Sequence, residues 1–189
     1  MGTRRDAVDE AFAACPREDF LRPRDRKRSS YDGPIEIGCC QTNSQPRTVG
    51  AMLRLLDVHR GQRILDVGSG SGWTTALLAH LSGPTGRVLG VELEPDLVDF
   101  GNRNLVRHHL PWAGIYEATP DVLGLPGAAP FHRILVSAMA RVIPDELVEQ
   151  LHTGGVMVIP VAGTMQRVAS SMRGTQVTRH GSYRFVPLR

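Results

Sequence analysis

The chain has 189 residues, of which 41% are hydrophobic, and a formal net charge of +3, which together fit one globular domain with a buried core. No apolar run approaches the roughly 20 residues needed to span a bilayer, and the first residues lack the apolar stretch of a secretion signal, so we expect a cytoplasmic protein. The three cysteines show neither a disulfide framework nor zinc-ligand spacing, and we expect no metal site.

The first part of the chain predicts a helix, a long connection and a second helix. Residues 6–14 place apolar side chains on one helical face before Pro16. Residues 16–45 are rich in proline and glycine, and a connection of this length inside a compact domain is typical of a lid or a binding loop. Pro46 then starts a helix that reaches Leu56.

Beyond residue 60, predicted strands alternate with predicted helices. The strands are Arg63–Val67, Arg87–Glu92, Gly114–Ala118, Arg133–Ser137 and Val156–Val161, and the helices are Trp73–Leu81, Pro95–Arg107 and one that starts at Pro144. The tail, Gln166–Met172 and Gln176–Pro187, predicts a closing strand pair. This order predicts an α/β class: a doubly wound, Rossmann-like, mostly parallel sheet with an antiparallel C-terminal pair, whose ligands bind at the carboxyl ends of the strands.

A glycine-rich loop follows the first strand of this sheet. Gly68, Gly70 and Gly72 alternate with serines, and glycine permits positive φ angles and close approach of a ligand. Glu92 ends the next strand, 20 residues after Gly72. At this spacing a carboxylate is expected to accept the hydroxyls of a ribose. The pattern predicts a site for an adenosine-containing cofactor, with an ordinary tight turn as the alternative.

The residues around the loop favour one cofactor of this type. Lys27 is the only lysine and lies far upstream of the loop. The loop therefore lacks the lysine that binds the phosphates in a triphosphate site. The spacing G-x-G-x-G also differs from the G-x-G-x-x-G of NAD sites. Asp66, just before the loop, suits the amino group of a methionyl moiety and would repel a pyrophosphate. We therefore expect S-adenosyl-L-methionine.

Segments outside the glycine loop carry a resemblance to a known family. They are Pro16–Phe20, Tyr31–Pro34, Gln41–Pro46, Pro130–Phe131, Ser137–Ala140, Gly154–Val161 and Phe185–Leu188. On these segments the sequence resembles the protein-L-isoaspartate O-methyltransferases from about Val8 to Leu188. The most discriminating element is Gln41-Thr42-Asn43-Ser44-Gln45-Pro46, whereas the glycine loop is shared by many methyltransferases.

The resemblance implies a fold and an activity. The fold is that of an S-adenosylmethionine-dependent methyltransferase in a single domain, residues 1–189. Residues 1–45 would form the N-terminal helix and a segment covering cofactor and substrate, and residues 46–189 the nucleotide-binding core. The activity is methyl transfer to the free α-carboxylate of L-isoaspartyl residues in damaged proteins and peptides, which initiates repair through a succinimide.

The glycine loop and the resemblance together define the expected site. The catalytic residue is Ser44, which aims the carboxylate and is not a nucleophile. The cofactor-binding residues are Gln41, Thr42, Asp66, Gly68, Ser69, Gly70, Gly72, Glu92, Leu93, Asp121, Val122 and Gln166. The substrate-binding residues are Ser44, Ser137, Ala138 and Ile159.

Some positions depart from the pattern of the family. Cys39 and Cys40 stand where a glycine is usual, and Asn43 replaces an apolar residue. Pro120 and Val122 flank Asp121, where the family has a glycine on each side of the acid at the edge of the site that would hold the adenine. The backbone N–H of Val122 is expected to remain available. These departures concern the substrate pocket and the affinity for the cofactor.

Alternatives remain open at the level of the sequence. Ser44 next to Pro46 could cap the following helix. The same fold could serve a methyltransferase of a small molecule or RNA, or a non-catalytic relative that only binds the cofactor. The basic run Arg22–Arg28 has few aromatic neighbours, so a nucleic-acid partner is not expected. We expect a monomer that acts on isoaspartyl proteins and peptides, with no membrane partner.

Overall fold

The computed structural model describes residues 6–189. Its helices are α1 (Ala7–Ala14), α2 (Pro46–Leu56), α3 (Trp73–Ser82), α4 (Pro95–Arg107) and α5 (Asp145–Val148). Its strands are β1 (Ile35–Gly38), β2 (Gln41–Asn43), β3 (Arg63–Val67), β4 (Arg87–Glu92), β5 (Ala113–Glu117), β6 (Phe131–Val136), β7 (Leu151–Val161), β8 (Thr164–Ser171) and β9 (Gly174–Ser182). Short 3₁₀ helices lie at Arg17–Phe20, Pro23–Arg28 and Pro126–Ala128.

Seven strands form one sheet in the order β5-β4-β3-β6-β7-β8-β9. The pairs from β5 to β7 are parallel, and β8 and β9 are added antiparallel. The predicted class is therefore confirmed: a mostly parallel, Rossmann-like α/β sheet with an antiparallel C-terminal pair. β1 and β2 form a separate antiparallel hairpin.

The central strand β3 shows why the sheet is covered on both faces. Ile64 and Leu65 point to opposite sides and are both fully buried. Ile64 belongs to the core under α1, α2 and α3, whereas Leu65 belongs to the core formed with β6, β7 and α5. Continuous apolar strands of this kind are typical of buried parallel sheets. Because β3 pairs in parallel with both β4 and β6, the carboxyl ends of these three strands lie at the same edge of the sheet.

Most predicted elements are confirmed with small shifts at their ends. The first helix is capped by Asp6, whose Oδ1 accepts a hydrogen bond from the Val8 amide at 2.7 Å. β7 begins at Leu151 rather than Val156, because Leu151 still pairs with Phe131 across a register shift. Within residues 6–189, no helix is long and apolar enough to cross a membrane.

Two segments differ from the sequence-based expectation. Residues 16–45, predicted as one long connection, contain two 3₁₀ helices and the β1–β2 hairpin. The predicted final strand, Gln176–Pro187, is wrong beyond Ser182. There the chain leaves the sheet, and Pro187 forms an isolated parallel bridge with Met139. The last residues thus return to the carboxyl ends of the strands.

Candidate active site

A cavity of about 440 Å³ opens at the carboxyl edge of the sheet. Its walls come from residues 41–44, the glycine loop, the ends of β4 and β6, the loop 118–124 and the C-terminal residues 186–189. The volume is in the range of small-molecule sites. The cavity therefore lies where an open α/β sheet is expected to bind its ligand.

The glycine loop turns tightly at the end of β3. The amides of Gly68 and Ser69 both donate to the carbonyl of Val91, at 2.9 and 3.1 Å. Gly72 has a φ of +83°, and a Cβ built there would lie 3.1 Å from the carbonyl oxygen of Gly101 on α4. Gly72 therefore permits close packing of two helices behind the loop, and it does not line the cavity.

Glu92 is held at the end of β4 by backbone amides. Its Oε2 accepts from the Gly70 amide at 2.9 Å, and its Oε1 accepts from the amides of Leu93 and Glu94 at 2.8 and 3.2 Å. Its side chain lines the cavity although the residue is only 8% exposed. A carboxylate has about four acceptor positions, so Oε2 retains capacity for a ligand hydroxyl.

Asp66 lies beneath the loop instead of on the cavity wall. The residue is fully buried, and its Oδ2 accepts from the hydroxyls of Thr74 and Thr75 at 2.7 Å each. Its Oδ1 has no hydrogen-bond partner, and burial raises the pKa of the carboxyl to about 6. Asp66, which the sequence predicted to meet a ligand amino group, does not line the cavity, whereas Thr74, which donates to it, does.

Ser44 lies on the cavity wall between β2 and α2. Gln45 occupies the N-cap position of α2, so the alternative role of Ser44 as a helix cap is wrong. The carbonyl of Ser44 accepts a hydrogen bond from Arg17 Nη2 at 2.9 Å. Ser137 approaches from the end of β6, where its amide donates to the carbonyl of Val67 at 2.8 Å.

The loop after β5 closes another side of the cavity. Asp121 has a φ of +60°, and the amide of Val122 donates to the carbonyl of Thr119 at 3.1 Å. That N–H is thus engaged inside the turn, contrary to the expectation that it is available. The side chain of Gln150 holds residues 123–125 of this loop. It accepts a hydrogen bond from the Leu125 amide and donates one to the Leu123 carbonyl, both at 2.8 Å.

The structure brings most of the expected residues to this cavity. Those lining it are Gln41, Thr42, Ser44, Gly68, Ser69, Gly70, Glu92, Leu93, Asp121, Val122, Ser137 and Ala138. Ile159 and Gln166 do not line it, because they are register partners inside the β7–β8 pair and are buried there. In the described part of the chain, no group of three or more metal-ligating side chains comes together.

Sequence reasoning missed several lining residues. The largest group is 186–189, whose first two residues were predicted to end the final strand, although Phe185–Leu188 contributes to the resemblance. The amide of Met139 donates to the carbonyl of Val186 at 2.7 Å, and the amide of Leu188 donates to the carbonyl of Met139 at 2.8 Å. These contacts join sequence-distant residues and leave no local pattern. Asn43 and Glu146 also line the cavity.

Charged groups of both signs lie on the cavity wall or directly behind it. The carboxyl groups of Glu92, Asp121 and Glu146 line the cavity, and Asp66 is buried beneath the glycine loop. Asn43 and Ser44 form another part of the cavity wall. Both of these residues accept hydrogen bonds from Arg17, a buried cation. The cavity therefore suits a cationic ligand beside an anionic one.

The fold and this cavity define a Rossmann-like, S-adenosylmethionine-dependent methyltransferase. A sequence profile of the protein-L-isoaspartate(D-aspartate) O-methyltransferase family matches residues 2–189. The chain belongs to this family, as the resemblance predicted.

Individual relatives agree with this assignment. A protein-L-isoaspartate O-methyltransferase of Aeropyrum pernix is 46% identical over 156 residues, which cover 82% of this chain and 59% of that relative. One from Methanopyrus kandleri is 39% identical over 98% of this chain and 84% of its own length. A crystal structure of a Plasmodium falciparum protein, described as a protein-L-isoaspartate O-methyltransferase in complex with S-adenosyl-L-homocysteine, superposes with a TM-score of 0.87. It is 25% identical, over 99% of this chain and 92% of that protein.

Proposed function

We propose that this protein transfers the methyl group of S-adenosyl-L-methionine to the free α-carboxylate of L-isoaspartyl residues in damaged proteins and peptides. The observation that carries the proposal is the charge arrangement in one cavity, with carboxyl groups around the glycine loop and a buried guanidinium behind Ser44. A positively charged donor and a negatively charged acceptor would meet between them. Membership of the family supports the same reaction.

The donor end has the features that an adenosine and a methionyl moiety require. The backbone of Gly68 and Gly70 allows close approach, and Glu92 offers a carboxylate oxygen to a ribose hydroxyl. Leu93 and Val122 supply apolar surface on the same wall. When bound, S-adenosyl-L-methionine supplies a sulfonium with an activated methyl group. The Plasmodium falciparum relative binds the demethylated product of such a donor.

The acceptor end requires no general base. An α-carboxyl group has a pKa of about 3.5, so the isoaspartyl carboxylate is already an anion at neutral pH. In this proposal Ser44 Oγ donates a hydrogen bond to one carboxylate oxygen and aims the other at the methyl carbon. Ser137 and Ala138 form the adjoining wall. Catalysis then consists of alignment in a partly dry cleft, where neutralisation of opposite charges is favoured by the exclusion of water.

The chain acts as one catalytic unit in this proposal. Residues 41–44 form part of the cavity wall, which supports the proposal that the segment before residue 46 covers the site and the core after it holds the donor. Residues 1–5 of the covering segment lie outside the described structure. Residues before position 46 and residues of the core line the same cavity, so one chain can supply both the donor and the acceptor sites in this proposal. The methyl ester would then close spontaneously to a succinimide, whose hydrolysis returns part of the material to aspartate.

Methyl transfer to matched peptides tests the proposal. The protein is incubated with methyl-labelled S-adenosyl-L-methionine and either of two peptides that differ only in one isoaspartyl or aspartyl residue, with a structured RNA as a third acceptor. We expect label on the isoaspartyl peptide alone. Label on the RNA, or on neither peptide despite calorimetrically measured binding of S-adenosyl-L-homocysteine, would overturn the proposal.

A further inference from the structure

We propose that Arg17, which does not line the cavity, is a positioning residue for the methyl acceptor and acts through Asn43 and Ser44. The inference rests on the proposed function, since it assigns the residue that holds the acceptor side of that reaction in place. Arg17 lies at the start of the 3₁₀ helix Arg17–Phe20, within the segment that covers the site.

Arg17 joins three separate stretches of the covering segment. Its Nη1 donates to the carbonyl of Tyr31 at 2.7 Å, and its Nη2 donates to the carbonyl of Gly33 at 2.7 Å. The same Nη2 donates to the carbonyls of Asn43 and Ser44 at 3.0 and 2.9 Å, and Nε donates to Asn43 Oδ1 at 2.7 Å. The backbone on both sides of the Ser44 hydroxyl is thereby fixed by one side chain.

Only arginine among the side chains can satisfy this set of acceptors. Its planar guanidinium carries five N–H donors in a fixed fork, whereas lysine presents its donors from a single point. The acceptors are carbonyl and amide oxygens, so they orient Arg17 without neutralising it. Burial lowers the pKa of Arg17 to about 10, which still leaves the group charged at neutral pH.

The position of this charge suits the acceptor. Arg17 is 5% exposed, and it contacts three residues that line the cavity: Asn43, Ser44 and the ring of Trp73, which lies 5.5 Å from Arg17 Cζ. A cation directly behind this wall stabilises a carboxylate in front of it, and the low dielectric of the interior strengthens the effect.

Asn43 extends the network to the donor side. Its Nδ2 donates to Ser71 Oγ at 3.2 Å, and Ser71 belongs to the glycine loop. The carbonyl of Ser71 is held in turn by Asn104 Nδ2 at 2.8 Å. The path from Arg17 through Asn43 to Ser71 thus joins the acceptor side to the glycine loop. It sets the acceptor side at a fixed place relative to the donor loop.

Steady-state kinetics with Arg17→Lys test the inference, with Arg133→Lys as a matched control. Arg133 is another buried arginine with a pKa lowered by burial, but it donates to the carbonyls of Asp57 and His132, and it does not line the cavity. For each variant, kcat and KM for an isoaspartyl peptide, the affinity for S-adenosyl-L-homocysteine and the melting temperature are measured.

We expect kcat/KM for the peptide to fall by at least about tenfold in Arg17→Lys while the affinity for S-adenosyl-L-homocysteine changes by less than about threefold, since Arg17 touches the acceptor side. Arg133→Lys is expected to lower the melting temperature and to leave both kinetic and binding constants close to wild type. Equal kinetic effects in the two variants, or an unchanged kcat/KM in folded Arg17→Lys, would overturn the inference.

A second variant covers the case in which Arg17→Lys does not fold. Asn43→Ala removes one acceptor of Arg17 and the link to Ser71 but keeps the bonds to the backbone carbonyls, and we expect kcat/KM for the peptide to fall about three- to tenfold. A wild-type value in Asn43→Ala would count against the inference. Wild-type protein that does not methylate the peptide would instead overturn the proposed function itself.

Discussion

The amide of Gly70 donates a hydrogen bond to Glu92 Oε2 at 2.9 Å, and this bond ties the glycine loop to the end of the neighbouring strand. The same carboxylate is held by the amides of Leu93 and Glu94. Glu92 therefore fixes the shape of the loop, and in the proposed function it also presents an acceptor to the ribose.

The first prediction concerns Glu92→Gln. The carboxamide would turn an N–H group toward one set of backbone donors, so we expect the affinity for S-adenosyl-L-homocysteine to fall by about tenfold or more, measured by calorimetry. Glu149→Gln is the control, because Glu149 is exposed at the end of α5 and does not line the cavity. Similar affinities in the two variants would contradict the role of Glu92.

The second prediction separates binding of the acceptor from binding of the donor. Loss of a hydrogen bond to a charged group costs about 1.5–3 kcal/mol, so Ser44→Ala should lower methyl transfer to an isoaspartyl peptide by about 10- to 100-fold. The affinity for S-adenosyl-L-homocysteine should stay within about threefold of wild type. Ser182→Ala, at the exposed end of β9, serves as the control. An unchanged rate in Ser44→Ala would remove Ser44 from the mechanism.

The third prediction is a pH dependence of stability that originates from Asp66. Its pKa is about 6 in the folded protein and 3.8 in its ordinary state. Between these values the folded protein binds more protons than the unfolded chain, so the contribution of Asp66 to the free energy of unfolding falls as the pH rises. Above about pH 6 this destabilisation is complete.

Urea unfolding of wild type and Asp66→Asn at a series of pH values measures this contribution. The stability of Asp66→Asn relative to wild type should rise from about pH 4 to about pH 6.5 and then level off. A difference that is constant across this range, or that shrinks as the pH rises, would contradict the assignment.

The fourth prediction concerns the C-terminal segment 186–189. It lines the cavity and is joined to Met139 by hydrogen bonds from the Met139 and Leu188 amides. A ligand that packs against this segment should stabilise those bonds, so S-adenosyl-L-homocysteine is expected to slow hydrogen exchange at both amides. Amides that pair β8 with β9 serve as the internal control. Equal exchange at Met139 and Leu188 with and without the ligand would show that the segment does not close on it.

The predictable part of the molecule is the part that local patterns encode. Strand β3, the glycines that follow it and Glu92 lie in short stretches whose apolar periodicity and turn residues are visible in the sequence. The order of strands and helices then places them at one edge. This reasoning predicted the correct sheet and, together with the family resemblance, fewer than half of the residues that line the cavity.

The remaining features depend on contacts between residues far apart in the chain. Arg17 meets Asn43 over a separation of 26 residues, and nothing in its own neighbourhood marks it as buried. Asp66 follows the strand pattern, but the hydroxyls of Thr74 and Thr75 turn its carboxylate away from the cavity. Tertiary contacts of this kind leave no periodic pattern in the sequence, so only the three-dimensional structure reveals them.

The most direct measurement is a crystal structure of the protein with S-adenosyl-L-homocysteine and a peptide that contains one isoaspartyl residue. We expect the α-carboxylate of the peptide within hydrogen-bond distance of Ser44 Oγ, with one of its oxygens facing the sulfur of S-adenosyl-L-homocysteine. We expect the ribose of the same ligand to contact Glu92. A carboxylate bound elsewhere, with Ser44 not contacting it, would contradict the account.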